Sequence, residues 1–156
     1  MTNIVLTRID NRLVHGQVGC TWVTSIGANL IVVVDDEVAT DTLQQQLMGI
    51  TAKSSGVGIR FFSIQKTIEI IGKASPTQKI FIVAKTPDTV LALLEGGVKL
   101  EKVNVGNMHF SEGKRKVSSK VYVDDHDVDV LRKIKELVPN TFIQDVPGSE
   151  KEDIKL

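Results

Sequence analysis

The architecture of this chain follows from a segment near its amino terminus, in which an apolar strand leads through polar residues into a helix. The segment is Asn3-Ile4-Val5-Leu6-Thr7-Arg8-Ile9-Asp10-Asn11-Arg12-Leu13-Val14-His15-Gly16-Gln17. Its first residues predict a strand, and a helix is predicted to begin near Gly16. Ligands of open α/β sheets bind at the carboxyl ends of the strands, so the polar residues before Gly16 are candidate site residues.

Strand and helix patterns alternate along the rest of the chain. Short segments rich in β-branched residues predict strands over Asn3–Thr7, Leu30–Val34, Val57–Phe62, Lys79–Ala84, Lys102–Val105, Lys120–Val123 and Thr141–Gln144. Helices are predicted over Gly16–Ile26, Asp41–Thr51, Ile64–Lys73, Pro87–Glu95 and Val128–Leu137. Strands such as Ile31-Val32-Val33-Val34 are apolar on both faces, which is typical of parallel strands covered by helices on both sides.

The predicted fold class is therefore α/β. We expect a single doubly wound domain over residues 1–156, with a mostly parallel open sheet of about seven strands and helices on both faces. The segment after Pro147 is polar and is expected to be loose.

Composition excludes several classes of function. Nineteen basic and 19 acidic residues give a formal net charge of zero, so no basic excess indicates a nucleic acid partner. The single cysteine, Cys20, excludes an internal disulfide and is compatible with a reducing compartment. No apolar run approaches the roughly 20 residues that span a bilayer, and residues 1–4 lack the pattern of a signal peptide. We expect a soluble, cytoplasmic protein.

The polar run has the residues that a phosphohistidine needs. Imidazole, with an ordinary pKa of about 6.5, is a partly neutral nucleophile near pH 7, and phosphorylation adds about two negative charges. Arg12 precedes His15 by three residues and can reach phosphoryl oxygens. The backbone N–H groups of Gly16 and Gln17 can add hydrogen bonds at the helix start, where glycine lets a phosphate approach closely.

The two remaining charged residues of the run have different predicted roles. Asp10 is a carboxylate and cannot bind phosphate, so we expect it to orient Arg12 or the non-reacting nitrogen of His15. Arg8 is expected either to neutralise the phosphate or to meet a negatively charged partner. The reaction needs positioning and charge stabilisation, and it requires no metal.

The run from Arg8 to Gln17 resembles the active-site motif of the IIB subunits of the mannose/fructose/sorbose family of the bacterial phosphoenolpyruvate-dependent sugar phosphotransferase system. That motif is Arg-Ile-Asp-x-Arg-Leu-[Ile/Val]-His-Gly-Gln. Further segments resemble the family in family order, and they are Val33–Ala39, Glu95–Val98 and Val103–Met108. The resemblance to the N-acetylgalactosamine-specific type is carried by Gly58–Phe62, Asn107–Phe110 and Phe142–Gly148.

The resemblance implies a fold and a function. The fold is an open α/β sheet, and His15 accepts a phosphoryl group on Nδ1 from the phosphohistidine of a IIA protein. The group then passes to the 6-hydroxyl of a sugar, N-acetylgalactosamine in the type that this chain resembles, held by the membrane subunits IIC and IID. The implied protein is a phosphotransferase at the inner face of the membrane, with a covalent phosphohistidine intermediate and no cofactor.

Several alternatives remain open. Asn107, Met108 and His109 follow the fifth predicted strand and are candidates for the rim of the site. His109 is also a candidate for a second phosphorylated residue, although many members of the family have no histidine there. The residues around His15 do not specify a sugar, so mannose, fructose, sorbose and galactosamine stay open. In a competing interpretation the chain is a non-catalytic module of the same fold, which binds a phosphorylated ligand or has a regulatory role.

The sequence does not contain the residue patterns of several other classes of functional site. The first strand is not followed by the G-x-G-x-x-G pattern of a dinucleotide-binding fold. The third predicted strand ends without the aspartate that a receiver domain phosphorylates. Zinc is not predicted, because the histidines and the cysteine have no recognisable ligand spacing. We expect His126, which lies at the start of the last helix, to be exposed to solvent.

Overall fold

The computed structural model describes residues 3–156 except for the side chains at positions 17 and 18, and this part of the chain forms nine strands and five α-helices. The strands are β1 (Asn3–Asp10), β2 (Leu30–Val34), β3 (Gly58–Phe62), β4 (Lys79–Ala84), β5 (Val103–Asn107), β6 (Arg115–Ser118), β7 (Val121–Val123), β8 (Thr141–Ile143) and β9 (Glu152–Asp153). The helices are α1 (Gly16–Ile26), α2 (Thr42–Ser54), α3 (Ile64–Ile70), α4 (Pro87–Glu95) and α5 (Asp125–Leu137). Two short 3₁₀ helices cover Val38–Thr40 and Ile71–Lys73.

Seven of the strands form one open sheet in the order β3-β2-β4-β1-β5-β8-β9. The first six run parallel to their neighbours, and β9 runs antiparallel to β8. The prediction of a mostly parallel, seven-stranded α/β sheet is confirmed. The register between β1 and β5 places Arg8 beside Asn104 and Asp10 beside Asn107.

Helices cover both faces of this sheet, as predicted. On one face, α1 and α2 pack Trp22, Val23, Met48 and Ala52 against Ile31, Val33, Phe81 and Val83. On the other face, α4 and α5 pack Val90, Leu93, Leu131 and Ile134 against Val32, Val34, Ile80 and Ile82. Alternate residues of β2 and β4 thus enter two separate cores, which explains why these strands are apolar at every position.

Strand β1 is longer than predicted. It continues past Thr7 to Asp10, because Arg8 and Asp10 are buried and paired with each other instead of lying in a loop. Helix α5 begins at Asp125, before the predicted Val128. The side chain of Asp124 accepts a hydrogen bond from the N–H of Asp127, and this capping box sets the start of the helix.

One predicted strand lies outside the sheet. Residues 121–123 pair antiparallel with β6, a strand that the sequence did not predict, and this hairpin is a separate two-stranded sheet. Arg115 and Lys116 make β6 polar and exposed, so it lacks an apolar pattern. Val121 and Val123 are fully buried against the α4/α5 face of the main sheet, and β6 satisfies the main-chain groups of β7.

The prediction of a loose tail after Pro147 is wrong. Strand β9 pairs with β8 at the edge of the sheet, and Ile154 and Leu156 pack against the core. Lys135 forms an ion pair with Asp153 at 3.0 Å. A polar composition predicts a loop, but an edge strand has unpaired main-chain groups that a short polar segment can satisfy.

The connections that leave two adjacent strands, β1 and β5, lead to opposite sides of the sheet. From β1 the chain passes through α1 to β2, on one side of the sheet, whereas from β5 it continues to β8, on the other side. The carboxyl ends of β1 and β5 are therefore the expected ligand-binding edge. Within residues 3–156, no helix combines the length and the apolar character that crossing a membrane requires.

Candidate functional site

The loop between β1 and α1 is a tight turn that places His15 beyond the carboxyl end of β1. The N–H of Leu13 donates to the main-chain oxygen of Asp10 at 2.9 Å, and the N–H of Asn11 donates to that of Asn107 at 3.1 Å. Leu13 has a φ of 59°, the one positive φ of a non-glycine residue within 3–156. This left-handed conformation costs about 1–2 kcal/mol. The side chain of Leu13 is buried in the core beneath α1, which holds the turn in place.

His15 is the N-cap residue of α1 and has an extended backbone. Its Nδ1 lies 3.2 Å from the main-chain oxygen of Leu13 and 4.0 Å from Oδ2 of Asp10. A carbonyl oxygen only accepts hydrogen bonds, so Nδ1 carries the proton of a neutral ring in this orientation. Nε2 is buried and has no hydrogen-bond partner among the described side chains.

Asp10 connects the groups of the site. Its side chain is fully buried, and Oδ1 accepts a hydrogen bond from the main-chain N–H of Arg12 at 2.9 Å. Oδ2 accepts one from Arg8 at 3.2 Å and faces His15 at 4.0 Å. Asp10 therefore holds the backbone of Arg12. The guanidinium Nε of Arg12 lies farther from the carboxylate, at 3.8 Å.

Arg8 is buried behind Asp10, with 2% of its side chain exposed. One terminal nitrogen, Nη1, donates to Oδ1 of Asn104 at 2.6 Å and to the main-chain oxygen of Gln144 at 3.1 Å. The other, Nη2, donates to Asp10. The guanidinium carbon lies 5.3 Å from the centre of the Trp22 ring, within cation–π distance.

This burial corrects the expectation for Arg8. Removal from water lowers the pKa of the Arg8 guanidinium below its ordinary value, and the charge of Asp10 and its hydrogen bond oppose that shift. Because the side chain is enclosed, it cannot meet a partner protein at the surface. The positive charge of Arg8 compensates the buried carboxylate of Asp10, and the guanidinium is shielded from solvent.

Arg12 is the accessible cation of the loop. Its side chain is 47% exposed, and within the described part of the chain its guanidinium forms one ion pair, the 3.8 Å contact with Asp10. That distance is long for a hydrogen bond. The guanidinium is therefore free to turn toward a ligand at the amino terminus of α1.

Helix α1 begins at Gly16, as predicted. Gly16 has a φ of 47°, in the left-handed region that favours glycine. Apart from the two chain neighbours and the backbone of α1, no described atom lies within 4 Å of the position that a Cβ at Gly16 would take, so space remains for a ligand. The side chain of Gln17 lies outside the described residues, and its backbone belongs to the first turn of α1.

The three candidate rim residues are not equivalent. Asn107 is buried at the end of β5 and touches the site through the main-chain bond to Asn11. Met108 is buried in the core beside the β6–β7 hairpin, so its side chain does not line the site. His109 is exposed beyond the end of β5. Of the three, Asn107 is the residue with an observed hydrogen bond to the β1–α1 loop.

His126 is exposed, as predicted, and lies apart from the site on α5. Its Nε2 is 2.7 Å from Oδ2 of Asp88 at the start of α4. This hydrogen bond and the charge of Asp88 raise the pKa of His126 above its ordinary value. The arrangement joins two helix starts and has no contact with His15.

Sequence reasoning missed the residues that hold Arg8. These residues are far from Arg8 in sequence, and no local pattern connects them with it. They are Asn104, Gly106 and Gln144. One signal was present: Asn104 is a polar residue between two valines in a strand that is buried throughout. A buried polar group needs a hydrogen-bond partner, so an asparagine there predicts a polar contact beneath the site.

Comparison with known proteins gives one consistent result. The profile of the family described as PTS system sorbose subfamily IIB component matches residues 4–156. The N-acetylgalactosamine-specific phosphotransferase enzyme IIB component 1 of Escherichia coli K12 is 68% identical over 97% of this chain and 96% of its own length. The mannose-specific EIIAB component of the same strain is 37% identical over 84% of this chain, which spans 41% of that longer protein.

The fold agrees with that result. The crystal structure of the PTS system N-acetylgalactosamine-specific IIB component 1 from Escherichia coli superimposes with a TM-score of 0.96 and 68% sequence identity. The match covers 98% of this chain and 100% of that one. The resemblance noted from the motif at Arg8–Gln17 is therefore confirmed over nearly the whole chain, and the protein belongs to the sorbose subfamily of phosphotransferase-system IIB components.

Proposed function

We propose that this chain is the phosphocarrier of a system that takes up N-acetylgalactosamine. His15 accepts a phosphoryl group from the phosphohistidine of a IIA protein and passes it to the 6-hydroxyl of the sugar. The observation that carries this proposal is the position of His15. It stands at the amino terminus of α1, beyond the carboxyl end of β1, with the accessible Arg12 on its loop.

The charges around His15 suit a phosphoryl group. The first N–H groups of α1 have no helical partner and give the helix start a partial positive charge. Arg12 adds a full charge and a planar set of donors. The buried Asp10 is compensated by the buried Arg8, which leaves Arg12 available to the phosphate.

Transfer consists of two displacements at phosphorus. In the first, a ring nitrogen of His15 forms a bond to phosphorus while the N–P bond of the donor breaks, and the donor histidine keeps the electron pair. In the second, the sugar oxygen forms its bond to phosphorus while the N–P bond of His15 breaks. The freed nitrogen of His15 keeps the electron pair of that bond and takes up the proton of the sugar hydroxyl. Alignment and charge stabilisation supply most of the catalysis.

The imidazole of His15 must turn before it reacts. Its Nδ1 faces a carbonyl oxygen, and its Nε2 is enclosed, so neither nitrogen is open to an incoming phosphoryl group. We propose that docking of the donor releases the bond to Leu13. The exposed ring then releases the Nδ1 proton to solvent and takes one up on Nε2, so that Nδ1 becomes the accepting atom.

The proposal includes three partners. A IIA protein is the donor, and the E. coli relative named as a mannose-specific EIIAB component carries the A and B designations in a single chain. The membrane subunits IIC and IID bind the sugar and keep this protein at the cytoplasmic face of the membrane. The covalent phosphohistidine is the intermediate, and the reaction uses neither a cofactor nor a metal.

The sugar is inferred from relatives. The relatives with 68% and 45% identity are both named as N-acetylgalactosamine-specific IIB components. In the proposed system the sugar meets this chain only while bound to IIC and IID, so residues near His15 present a phosphate and need not recognise a sugar ring.

The test is phosphorylation from phosphoenolpyruvate through the general phosphotransferase proteins and a cognate IIA. Intact mass and phosphorus NMR should show one acid-labile phosphoryl group, and His15→Ala should remove it. His109→Ala is the matched control, because this exposed histidine lies on the same edge of the sheet. A phosphate that persists in His15→Ala would refute the assignment. Absence of phosphate, with a IIA that is competent toward another IIB, would favour a non-catalytic module.

A further inference from the structure

Gly106 in β5 lies directly against the guanidinium of Arg8. A Cβ at this position would overlap the central carbon and both terminal nitrogens of that group. The φ of Gly106 is not positive, so the glycine is required for space and not for backbone conformation. Any larger residue at position 106 must displace the guanidinium.

Asn104, two residues earlier on the same strand, fixes Arg8 from the side. Its Oδ1 accepts a hydrogen bond from Nη1 of Arg8 at 2.6 Å, and its Nδ2 donates to the main-chain oxygen of Gln144 at 3.0 Å. The side chain is completely buried, and both ends of its amide are satisfied. β5 thus supplies both the space and the anchor for Arg8.

The position of Arg8 determines what Asp10 can do. Arg8 is the buried cation that contacts Asp10, at 3.2 Å, and Arg12 is the nearby exposed one, at 3.8 Å. An uncompensated buried carboxylate is costly, so a displaced Arg8 leaves Asp10 to attract the nearest remaining cation. That cation is Arg12, whose guanidinium would then be drawn away from the phosphate.

We propose that Gly106 and Asn104 are positioning residues for phosphoryl transfer at His15. They hold Arg8 against Asp10, and this pairing keeps the guanidinium of Arg12 free for the phosphoryl group. The proposal rests on the phosphocarrier function proposed above.

The central experiment compares Gly106→Ala with Gly49→Ala. The second variant makes the same chemical change in α2, where the new Cβ would have no described atom within 4 Å apart from its chain neighbours and the backbone of α2. We expect Gly106→Ala to fold and to accept phosphate about 10- to 100-fold more slowly at saturating phospho-IIA, since a misplacement of about 1 Å can cost 100-fold. The IIA concentration for half-maximal rate should not change, and Gly49→Ala should match the wild type.

A double-mutant cycle distinguishes an effect on the position of Arg12 from a general disturbance of the structure. If Gly106 acts through the freedom of Arg12, then Gly106→Ala combined with Arg12→Gln should be no slower than Arg12→Gln alone. Nitrogen NMR of the His15 ring gives a readout that does not depend on transfer, and its signals should shift in Gly106→Ala but not in Gly49→Ala. Should Gly106→Ala fail to fold, Asn104→Ala, which removes the anchor but creates no overlap, takes its place in the cycle.

Each outcome is decisive. Wild-type rates in folded Gly106→Ala and Asn104→Ala, or losses that add fully to that of Arg12→Gln, would overturn this inference while leaving the phosphocarrier function intact. If the wild-type chain itself accepts no phosphate, the proposed function fails first, and the positioning role fails with it.

Discussion

The Nδ1 atom of His15 lies 3.2 Å from the main-chain oxygen of Leu13, a residue held in the left-handed region with a φ of 59°. The strained turn therefore points a carbonyl at the imidazole and selects its protonation pattern. The buried side chain of Leu13 keeps the turn from relaxing. In this way a local backbone conformation sets a resting orientation of the nucleophile.

The first prediction concerns the tautomer of His15. In the unphosphorylated protein the neutral ring should carry its proton on Nδ1, because the oxygen of Leu13 can only accept. Long-range proton–nitrogen NMR distinguishes the two ring nitrogens directly. After phosphorylation the signals should show the phosphate on Nδ1 and the proton on Nε2. A ring that carries its proton on Nε2 before phosphorylation would contradict the resting orientation.

The second prediction concerns Arg12. The side chain of Arg12 is half exposed and forms one long ion pair with the described residues, so Arg12→Gln should change the free energy of unfolding by no more than about 0.5 kcal/mol. The phosphorylation rate should fall about 100- to 1,000-fold, the range for loss of one donor to a transition-state charge. Arg132→Gln, an exposed change on α5, is the control for loss of a positive charge. Equal rates for both variants would exclude a role of Arg12 at the phosphate.

The third prediction concerns the buried pair of Arg8 and Asp10. Arg8→Met removes one partner of a buried ion pair and should lower the free energy of unfolding by about 3–5 kcal/mol, measured by urea denaturation. Adding Asp10→Asn removes the uncompensated charge and should recover part of that loss. If the double variant is as unstable as the sum of the single variants, the two residues do not act as a pair.

The fourth prediction concerns pH and the contact between His126 and Asp88. The pKa of His126 is raised in the folded state, so its contribution to stability is complete below the unfolded pKa of about 6.5. The contribution is lost as the pH rises through the higher folded pKa. NMR titration should show the raised pKa of His126, and Asp88→Asn should bring it back toward the ordinary value. An unchanged His126 titration in Asp88→Asn would show that the carboxylate does not cause the shift.

Local patterns were sufficient for most of the secondary structure. The bounds of β2, β4, α1 and α4 agree with the prediction, because the periodicity of apolar residues and the turn residues around them act over a few positions. The prediction failed for strands that form through pairing with a partner strand and have no apolar pattern of their own. Strand β6 is polar and β9 has two residues, and each forms only because a neighbouring strand has main-chain groups to satisfy.

Some features of the candidate site follow from local sequence, and others depend on the tertiary structure. The sequence by itself determined the order of Asp10, Arg12 and His15 between a strand and a helix, since that order depends only on neighbouring residues. The tertiary structure alone decided that Arg8 is buried, because its anchor Asn104 is 96 positions away and enters the site through the register of β1 with β5. Whether a charged side chain binds a ligand or supports the site depends on its burial and its partners, and sheet pairing sets both.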